Sequence, residues 1–334
     1  MKCDVLLTEA GGPVGYEVLK SLSAVGLRVG VSDTSDSGLS FSCGLAADTF
    51  VCCPPRDEGN FIKRIREWAA VTEPRAIIPI FHPEVLAAHR DEFPGIKMLC
   101  AQEDKILRLD DKVRACALAT DLGIRQPRLY SRPEAVDRYP VVFKRSGGHG
   151  GDSVYFPREE APLRHLVANS EPGTWLISEE IEGYDASIDS LRFGGLFVCS
   201  AYRTLLPRAK GVSIMRETFS APELEAAAWL ILEAVDYEGV CGMDFRIDRE
   251  GRAWFLECNP RFSGGLETQI RAGFDIPRLY WQAAMGLLHA EVPAPRTGVR
   301  TKDRKQILVY LKRRIRQRKL DFIDIRLALL PEKR

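Results

Sequence analysis

The sequence predicts a parallel α/β unit followed by a larger mixed α+β unit. Three observations carry this reading. Residues 3–33 run strand, glycine turn, helix, strand; after residue 103 the alternation gives way to short strands joined as hairpins; and the hairpin at 240–258 carries acids on one face of its two arms.

Residues 3–8 (CDVLLT) read as a buried strand, Gly11, Gly12 and Gly15 as a turn, residues 14–25 as an apolar-periodic helix, and 27–32 as a second strand ending at Asp33. Helix and strand then alternate through 61–71, 76–80, 84–90 and 96–100, which completes a unit over residues 1–102. The charged stretch EDKILRLDDK marks the boundary near 103. A helix from Asp111 should end at Gly123, a residue suited to a helix C-terminus, with Pro127 barring its continuation. Strands are expected at 140–144, 153–156, 175–179, 186–192 and 196–203, with helices at 161–169 and 222–235. Strands 240–247 and 253–258 close the pattern around the turn DREG at 248–251.

With 334 residues, 47 Lys+Arg against 46 Asp+Glu and 45% hydrophobic content, the chain is long enough for two or three units with cores of their own. This composition excludes a disordered chain, a collagen and a short disulfide scaffold. The nine cysteines are odd in number and contain no C-x-x-C pair, which argues against a zinc ribbon and for a reducing compartment such as the cytoplasm. Charge at Lys2 and Asp4 and the lack of any run of 18 apolar residues predict neither a signal peptide nor a membrane span. Residues 296–319 hold eleven Lys/Arg and one Asp, leaving the rest of the chain net negative. Leu308, Leu311 and Ile315 recur there at helical spacing, so residues 291–334 are expected to form a basic amphipathic tail docked by those three. An anionic partner for the tail, nucleic acid or lipid headgroups, is the less favoured alternative because no nucleic-acid motif accompanies the charge.

Three places could carry chemistry. Gly11–Gly15 with Asp33 has the elements of a dinucleotide site, but its spacing is G-G-x-x-G rather than G-x-G-x-x-G. Such a turn serves equally to pack a helix on a strand or to bind another substrate. In YPVVFKRSGGHGGDSV, Lys144 ends a strand and Gly147, Gly148, Gly150 and Gly151 follow, a combination suited to phosphate although it is not a P-loop. The third place is the hairpin. If 248–251 form its turn, Asp244 faces Phe255 and Glu257 faces Gly242, making Asp244 and Glu257 diagonal neighbours on one face with Asn259. Two carboxylates and an amide so placed suit a hard cation. Cys241, Met243, Phe245, Ile247, Trp254, Leu256 and Cys258 form the opposite, apolar face, and Arg261 adds a fork for phosphate or carboxylate.

Together these residues resemble the ATP-grasp superfamily, especially members similar to the carbamoyl-phosphate synthase large chain, biotin carboxylase and carboxylate-amine ligases, over nearly the whole chain to about residue 290. GMDFRIDREGRAWFLECNPRFSGG looks like the family's metal segment, so the resemblance implies that Asp244, Glu257 and Asn259 hold Mg²⁺ or Mn²⁺ and that Arg261 contacts the transferred phosphoryl group or an acyl phosphate. YPVVFK with its glycine turn resembles the lid lysine and phosphate loop, implying Lys144, Gly147, Gly148, Gly150 and Gly151 as ATP ligands; DDKVRACALATDLGIRQP implicates Lys112. In LISEEIEGYDASIDSL the family pattern implies adenine contacts from the backbone at Glu179 and Ile181 and a ribose contact from Asp185. AYRTLLPRAKGVSIMRE offers Arg203, Lys210 and Arg216 where relatives place phosphate- or substrate-binding cations. Arg145 and Ser153 stand where many relatives have Pro and Gly. The implied fold is a Rossmann-like domain over 1–102 preceding an ATP-grasp domain over 103–290, with a mobile lid at about 125–180.

The implied function is an ATP- and Mg²⁺-dependent ligase joining a small-molecule carboxylate to an amine through an acyl phosphate. A homodimer is compatible with this architecture. An ATP-dependent carboxylase or carbamoyl-phosphate-type enzyme on the same site is the nearest alternative, although the chain shows neither a biotin-carrier segment nor a glutamine-amidotransferase half. A dinucleotide-dependent oxidoreductase using Gly11–Gly15, and a non-catalytic nucleotide- or nucleic-acid-binding protein using the tail, are the remoter ones.

Overall fold

The computed structural model describes residues 2–145, 154–206, 213–288, 291–317, 319 and 322–333. The opening unit contains β1 (Val5–Thr8), α1 (Pro13–Ala24), β2 (Val29–Asp33), α2 (Leu39–Ser42), β3 (Asp48–Val51), α3 (Glu58–Thr72), β4 (Ala76–Pro79), α4 (Pro83–Ala88) and β5 (Lys97–Met98). Its five strands are parallel in the order β3-β2-β1-β4-β5. Every residue of β1 and β4 is buried, as helices on both faces of a parallel sheet require. The order reverses direction between β1 and β4, which opens a crevice at their C-terminal ends. The sequence reading missed α2 and β3; β3 is an edge strand alternating half-buried and exposed residues, so it lacks an apolar run.

The charged stretch after 102 is itself a helix, α5 (Glu103–Asp110), which buries Ile106 and Leu109. Amphipathic spacing, hidden by the surrounding charge, decides this against a linker. Asp111 then caps α6 (Lys112–Asp121) by accepting from the Val113 and Arg114 N–H groups, which fixes Lys112 in the first turn. A small antiparallel sheet follows: β6 (Leu129–Tyr130), β7 (Val141–Arg145), β8 (Val154–Tyr155) and β9 (Trp175–Glu179), in the order β6-β9-β7-β8. Its partner helix α7 (Glu160–Ala168) supplies Leu163 to a core with Tyr130, Val141, Phe143 and Ile177.

The large antiparallel sheet comprises β10 (Gly183–Phe193), β11 (Leu196–Leu206), β12 (Met215–Phe219), β13 (Gly239–Asp248), β14 (Ala253–Asn259) and β15 (Arg300–Lys302), ordered β14-β13-β10-β11-β12-β15. The helix α8 (Pro222–Ala234) packs behind it with α5 and α6. The short helices α9 (Leu266–Arg271) and α10 (Ile276–Ala284) carry the chain back to the opening unit. Val5, Leu7 and Ile78 share one core with Leu191, Val240, Phe262 and Tyr280, so the parallel unit and the large sheet are packed into each other.

The basic tail differs from expectation in two ways. It begins as β15, whose Thr301 pairs with Arg216, so part of it is an edge strand of the large sheet. The following α11 (Arg304–Arg316) docks through Ile307, with Tyr310 and Leu311 beside it, on Leu206, Ile214, Met215 and Ala328 of α12 (Phe322–Leu329). Leu308 and Ile315, expected to dock, are 62% and 58% exposed. The junction with β15, where Asp303 caps α11 through the Gln306 N–H, sets the helix phase, and each step along a helix turns a side chain by about 100°. Among the described residues no helix is long and apolar enough to cross a membrane, and all nine cysteines are free thiols.

Candidate active site

The hairpin β13–β14 sets the site, and its register differs from the expected one. The turn is three residues long: the Asp248 N–H donates to the Arg252 carbonyl at 3.1 Å, and Gly251 adopts φ +82°. Ile247 therefore faces Ala253, Arg246 faces Trp254 and Phe245 faces Phe255. Continued without interruption, this register would set Asp244 opposite Leu256 and turn Glu257 to the apolar side. A bulge restores it: Leu256 is an extra residue, after which Asp244 faces Glu257, Met243 faces Cys258 and Gly242 faces Asn259. Asp244, Glu257 and Asn259 do share a face, but the two acids are directly opposite rather than diagonal. Phe255 takes the apolar position expected of Trp254 and Leu256, and meets Phe245 edge-on at 5.6 Å. Trp254 instead donates from Nε1 to Asp248 at 2.8 Å, and Leu256 lines the cavity.

Neighbouring strands extend this face. On β10, Asp185 faces Arg246, Ser187 faces Asp244 and Asp189 faces Gly242. Ser187 also faces Tyr202 of β11, and Thr204 faces Arg216 of β12. The sheet thus presents successive rows about 7 Å apart. Asp185 and Arg246 form the first row, Ser187, Asp244 and Glu257 the second, and Asp189, Gly242 and Asn259 the third. A cavity of about 740 Å³ covers these rows, closed by Lys144, Val154, Phe156 and Ser178 of the small sheet on one side and by Val14 and Phe81 of the opening unit on the other.

Opposing charges meet in this cavity. Asp244 accepts from Ser187 Oγ at 2.6 Å and from Asn259 Nδ2 at 3.2 Å, yet burial, followed by the charge of Glu257, pushes its carboxyl up. Lys112 Nζ lies 3.9 Å from Glu257, and Lys144 Nζ donates to the Leu256 carbonyl at 3.5 Å. Arg261 donates to Asn259 Oδ1 and to the Phe262 carbonyl, both at 3.1 Å, and its guanidinium lies 5.2 Å from the Phe81 ring centre. Arg246 holds Asp185 and donates to the Ile181 carbonyl at 3.0 Å. Glu179 is bound by Arg138 and by the Arg128 N–H. Asp189, 2% exposed, accepts from Ser263 Oγ at 2.7 Å; burial pushes its carboxyl up to about 6 against the opposing pull of Ser263, Gln269, Arg216 and Arg261. Burial lowers the Arg216 pKa.

Of the residues singled out in the sequence, Lys144, Glu179, Ile181, Asp185, Arg216, Asp244, Glu257, Asn259 and Arg261 line this one cavity, and Lys112 reaches it through Glu257. Arg203 does not. Its neighbours Tyr202 and Thr204 point into the cavity, so strand alternation turns Arg203 away, to pair with Glu217 at 2.7 Å. Lys210, Gly147, Gly148, Gly150, Gly151 and Ser153 lie outside the described residues. Arg145 donates to Ser170 Oγ at 2.9 Å. The first glycine turn is a packing device: a Cβ at Gly15 would lie 2.3 Å from the Ala10 carbonyl oxygen, and Asp33 accepts from the Gly11 N–H at 2.7 Å. The carboxylate that a dinucleotide ribose would need is thereby engaged in the turn itself.

Sequence reasoning missed Ser187, Asp189, Tyr202 and Ser263. The alternation Asp185, Ser187, Asp189 within an otherwise apolar strand was the available signal for two of them. It also missed Glu9 and His82, at the ends of β1 and β4. Both are non-glycine residues in the left-handed region, at φ 54° and 45°, and His82 Nδ1 lies 2.7 Å from Glu9 Oε1. Such backbone strain persists where the surrounding structure enforces it, here at the crevice facing Arg261, and no local sequence pattern announces it.

The fold is that of ATP-grasp proteins. Among solved structures, the chain superposes on biotin carboxylase from Campylobacter jejuni, in complex with a β,γ-ATP ligand, with a TM-score of 0.72 at 16% identity, covering 90% of this chain and 74% of that one. An ADP complex of N5-carboxyaminoimidazole ribonucleotide synthetase gives 0.71 at 12% identity, over 95% and 86%. Residues 171–307 match the family described as ATP-grasp in the biosynthetic pathway with Ter operon. A curated relative from Pyrobaculum neutrophilum, a 5-formaminoimidazole-4-carboxamide-1-(beta)-D-ribofuranosyl 5'-monophosphate synthetase, is 34% identical over 76 residues, or 23% of this chain. The match spans 21% of that relative's length.

Proposed function

We propose that the chain is an ATP- and Mg²⁺-dependent ligase that joins a carboxylate to an amine, using ATP to activate the carboxylate as an acyl phosphate. The observation that carries this reading is the pair Asp244 and Glu257, directly opposed and partly desolvated on the floor of a cavity that Lys144 and Arg261 also line. A buried like-charged pair is costly without a compensating cation, and two carboxylates with a neighbouring amide oxygen form a donor set that fits Mg²⁺. For Asn259 to join it, the amide oxygen now facing Arg261 would turn inward. Mg²⁺ held there would supply charge neutralisation for the β- and γ-phosphates.

The rows of the sheet give each remaining residue a task. Glu179, Ile181 and Asp185 lie at the end suited to the nucleoside, with Lys144 above the acids for the phosphates. Lys112 holds Glu257 in place. Arg261, fixed by Asn259 and the Phe81 ring, offers its fork to the phosphoryl group as it moves to the substrate carboxylate. The carboxylate oxygen attacks the γ-phosphorus and ADP leaves; the amine then attacks the acyl carbon and phosphate departs with the bonding pair. These side chains act by positioning and electrostatics, and the small sheet over the cavity excludes water. In this reading residues 1–102 wall the acceptor end and the small sheet serves as the lid.

The test is Mg²⁺-dependent phosphate release from ATP against a panel of carboxylates and amines, with Glu257→Gln alongside and circular dichroism as the check on folding. Release that needs both a carboxylate and an amine, and that falls at least 100-fold in the folded variant, is the expected result. Release stimulated by bicarbonate alone would replace the ligase with a carboxylase, and unchanged release in Glu257→Gln would remove the metal assignment.

A further inference from the structure

We infer that the β15 edge of the large sheet is a docking face for an anionic lipid surface, with α11 and α12 lying in the headgroup region. Both helices are attached to that edge strand. The first, α11, follows it directly, and the end of α12 is tied back to it: the Arg300 N–H donates to the Lys333 carbonyl at 2.7 Å and Lys302 Nζ donates to the Leu330 carbonyl at 3.0 Å. Each helix presents one face to the protein, through Ile307 and Ala328, and keeps a second apolar stripe outside. On α11 this stripe is Leu308 and Ile315, seven residues and therefore about two turns apart. On α12 it is Phe322, Ile325 and Leu329, spaced i, i+3 and i+7, with Phe322 and Leu329 76% and 75% exposed. Single exposed apolar residues are ordinary on a folded surface, whereas stripes of them on two adjoining helices mark a place of contact.

Charge decides the partner. Residues 296–319 carry eleven Lys/Arg against one Asp, while the rest of the chain is net negative. Lys312 lies four residues after Leu308 and three before Ile315, so its exposed side chain borders that stripe, and the exposed Arg316 continues the same flank. An apolar stripe bordered by Lys and Arg suits the plane of a bilayer interface: the aliphatic groups enter the boundary between headgroups and acyl chains, and the long basic side chains reach the lipid phosphates. A nucleic acid would use the charge but leave Leu308, Ile315, Ile325 and Leu329 without a counterpart, because it is bound through phosphates, base edges and aromatic stacking. A second copy related by a two-fold axis would set one basic tail against another. The docking face also stands apart from the cavity floor. Strands β15 and β14 are opposite edges of the six-stranded sheet, about 24 Å apart at ~4.8 Å per step, so attachment leaves the hairpin of Asp244 and Glu257 clear of lipid.

The test is co-sedimentation of the full chain with vesicles of phosphatidylcholine alone or with about 30% phosphatidylglycerol, at ~0.1 M and ~0.5 M salt. The chain should bind the anionic vesicles at the lower salt, and at least tenfold more weakly when either the phosphatidylglycerol is omitted or the salt is raised. Lys312→Gln combined with Arg316→Gln should weaken binding about 25-fold, at about fivefold per basic residue near an anionic surface. Leu308→Ser combined with Phe322→Ser should weaken it at least tenfold, with the melting temperature unchanged because both side chains are already in solvent. Failure to bind anionic vesicles at ~0.1 M salt would overturn the inference, as would binding that the Leu308 and Phe322 substitutions leave unchanged. Tighter binding to duplex DNA than to the vesicles, or a dimer in sedimentation velocity that Phe322→Ser dissociates, would assign the face to another partner and overturn it equally.

Discussion

Replacing Asp189 by Asn should stabilise the protein in neutral buffer, by an amount set by the burial of the carboxyl. Its pKa stands at about 6 in the folded chain against an ordinary value of 3.8, a separation of about two pH units. Below about pH 3 the carboxyl is protonated in both states and contributes nothing. Between pH 4 and 6 the unfolded chain ionises first, so folding stability falls as pH rises, and above about pH 7 the whole penalty is present. Two units at ~1.4 kcal/mol each give a penalty of ~3 kcal/mol. The unfolding entropy of a 334-residue chain at ~2.1 cal/mol/K per residue converts this to ~4 °C in melting temperature. The assay is thermal unfolding of wild type and Asp189→Asn, free of nucleotide and divalent cation, at pH 4.5 and pH 8. Asp244 titrates in both proteins, and losing the Asp189 charge also eases its ionisation, which adds to the gain in the same direction. About 1 kcal/mol of the penalty is already present at pH 4.5, so the Asn variant should gain ~3 °C at pH 8 relative to its standing at pH 4.5, since Ser263 can still donate to the amide oxygen. A variant that parallels wild type within 1 °C at both pH values would refute the reasoning, because Asp189 would then be solvated or internally paired.

Two further outcomes follow from packing. Gly265→Ala forces a methyl against the Tyr202 ring and should cost ~1–3 kcal/mol in urea unfolding. Ile307→Ala, in the docked face of α11, should cost ~2–4 kcal/mol, whereas Leu308→Ala should stay within ~0.5 kcal/mol; equal effects would mean that the helix docks by another face.

Local patterns in the chain were enough for the parallel opening unit, the order of most strands and helices, and most of the charged residues that line the cavity. Those features depend on local periodicity and on spacing within one element, which are written directly in the chain. The apolar runs at β1 and β4 and the acid–x–Asn–x–Arg segment that follows β13 are examples. The hairpin shows where such reasoning ends. A three-residue turn and a one-residue bulge at Leu256 each shift the register by one, and only their combination leaves Glu257 beside Asp244. No local rule fixes a bulge, because its cost is set by packing on both faces: Phe255 against Phe245 behind, and Leu256 over the cavity in front. The tail shows the same limit, since three apolar residues at helical spacing were correct for a helix but not for its docked face, which depends on how β15 delivers the chain into α11. Tertiary structure alone placed Arg203 outside the cavity and Asp189 within it, because which face of a strand is enclosed depends on the neighbours laid across it. It also strained Glu9 and His82 at the crevice, where the packing of β1 and β4 against the large sheet overrides the backbone preference of the individual residues.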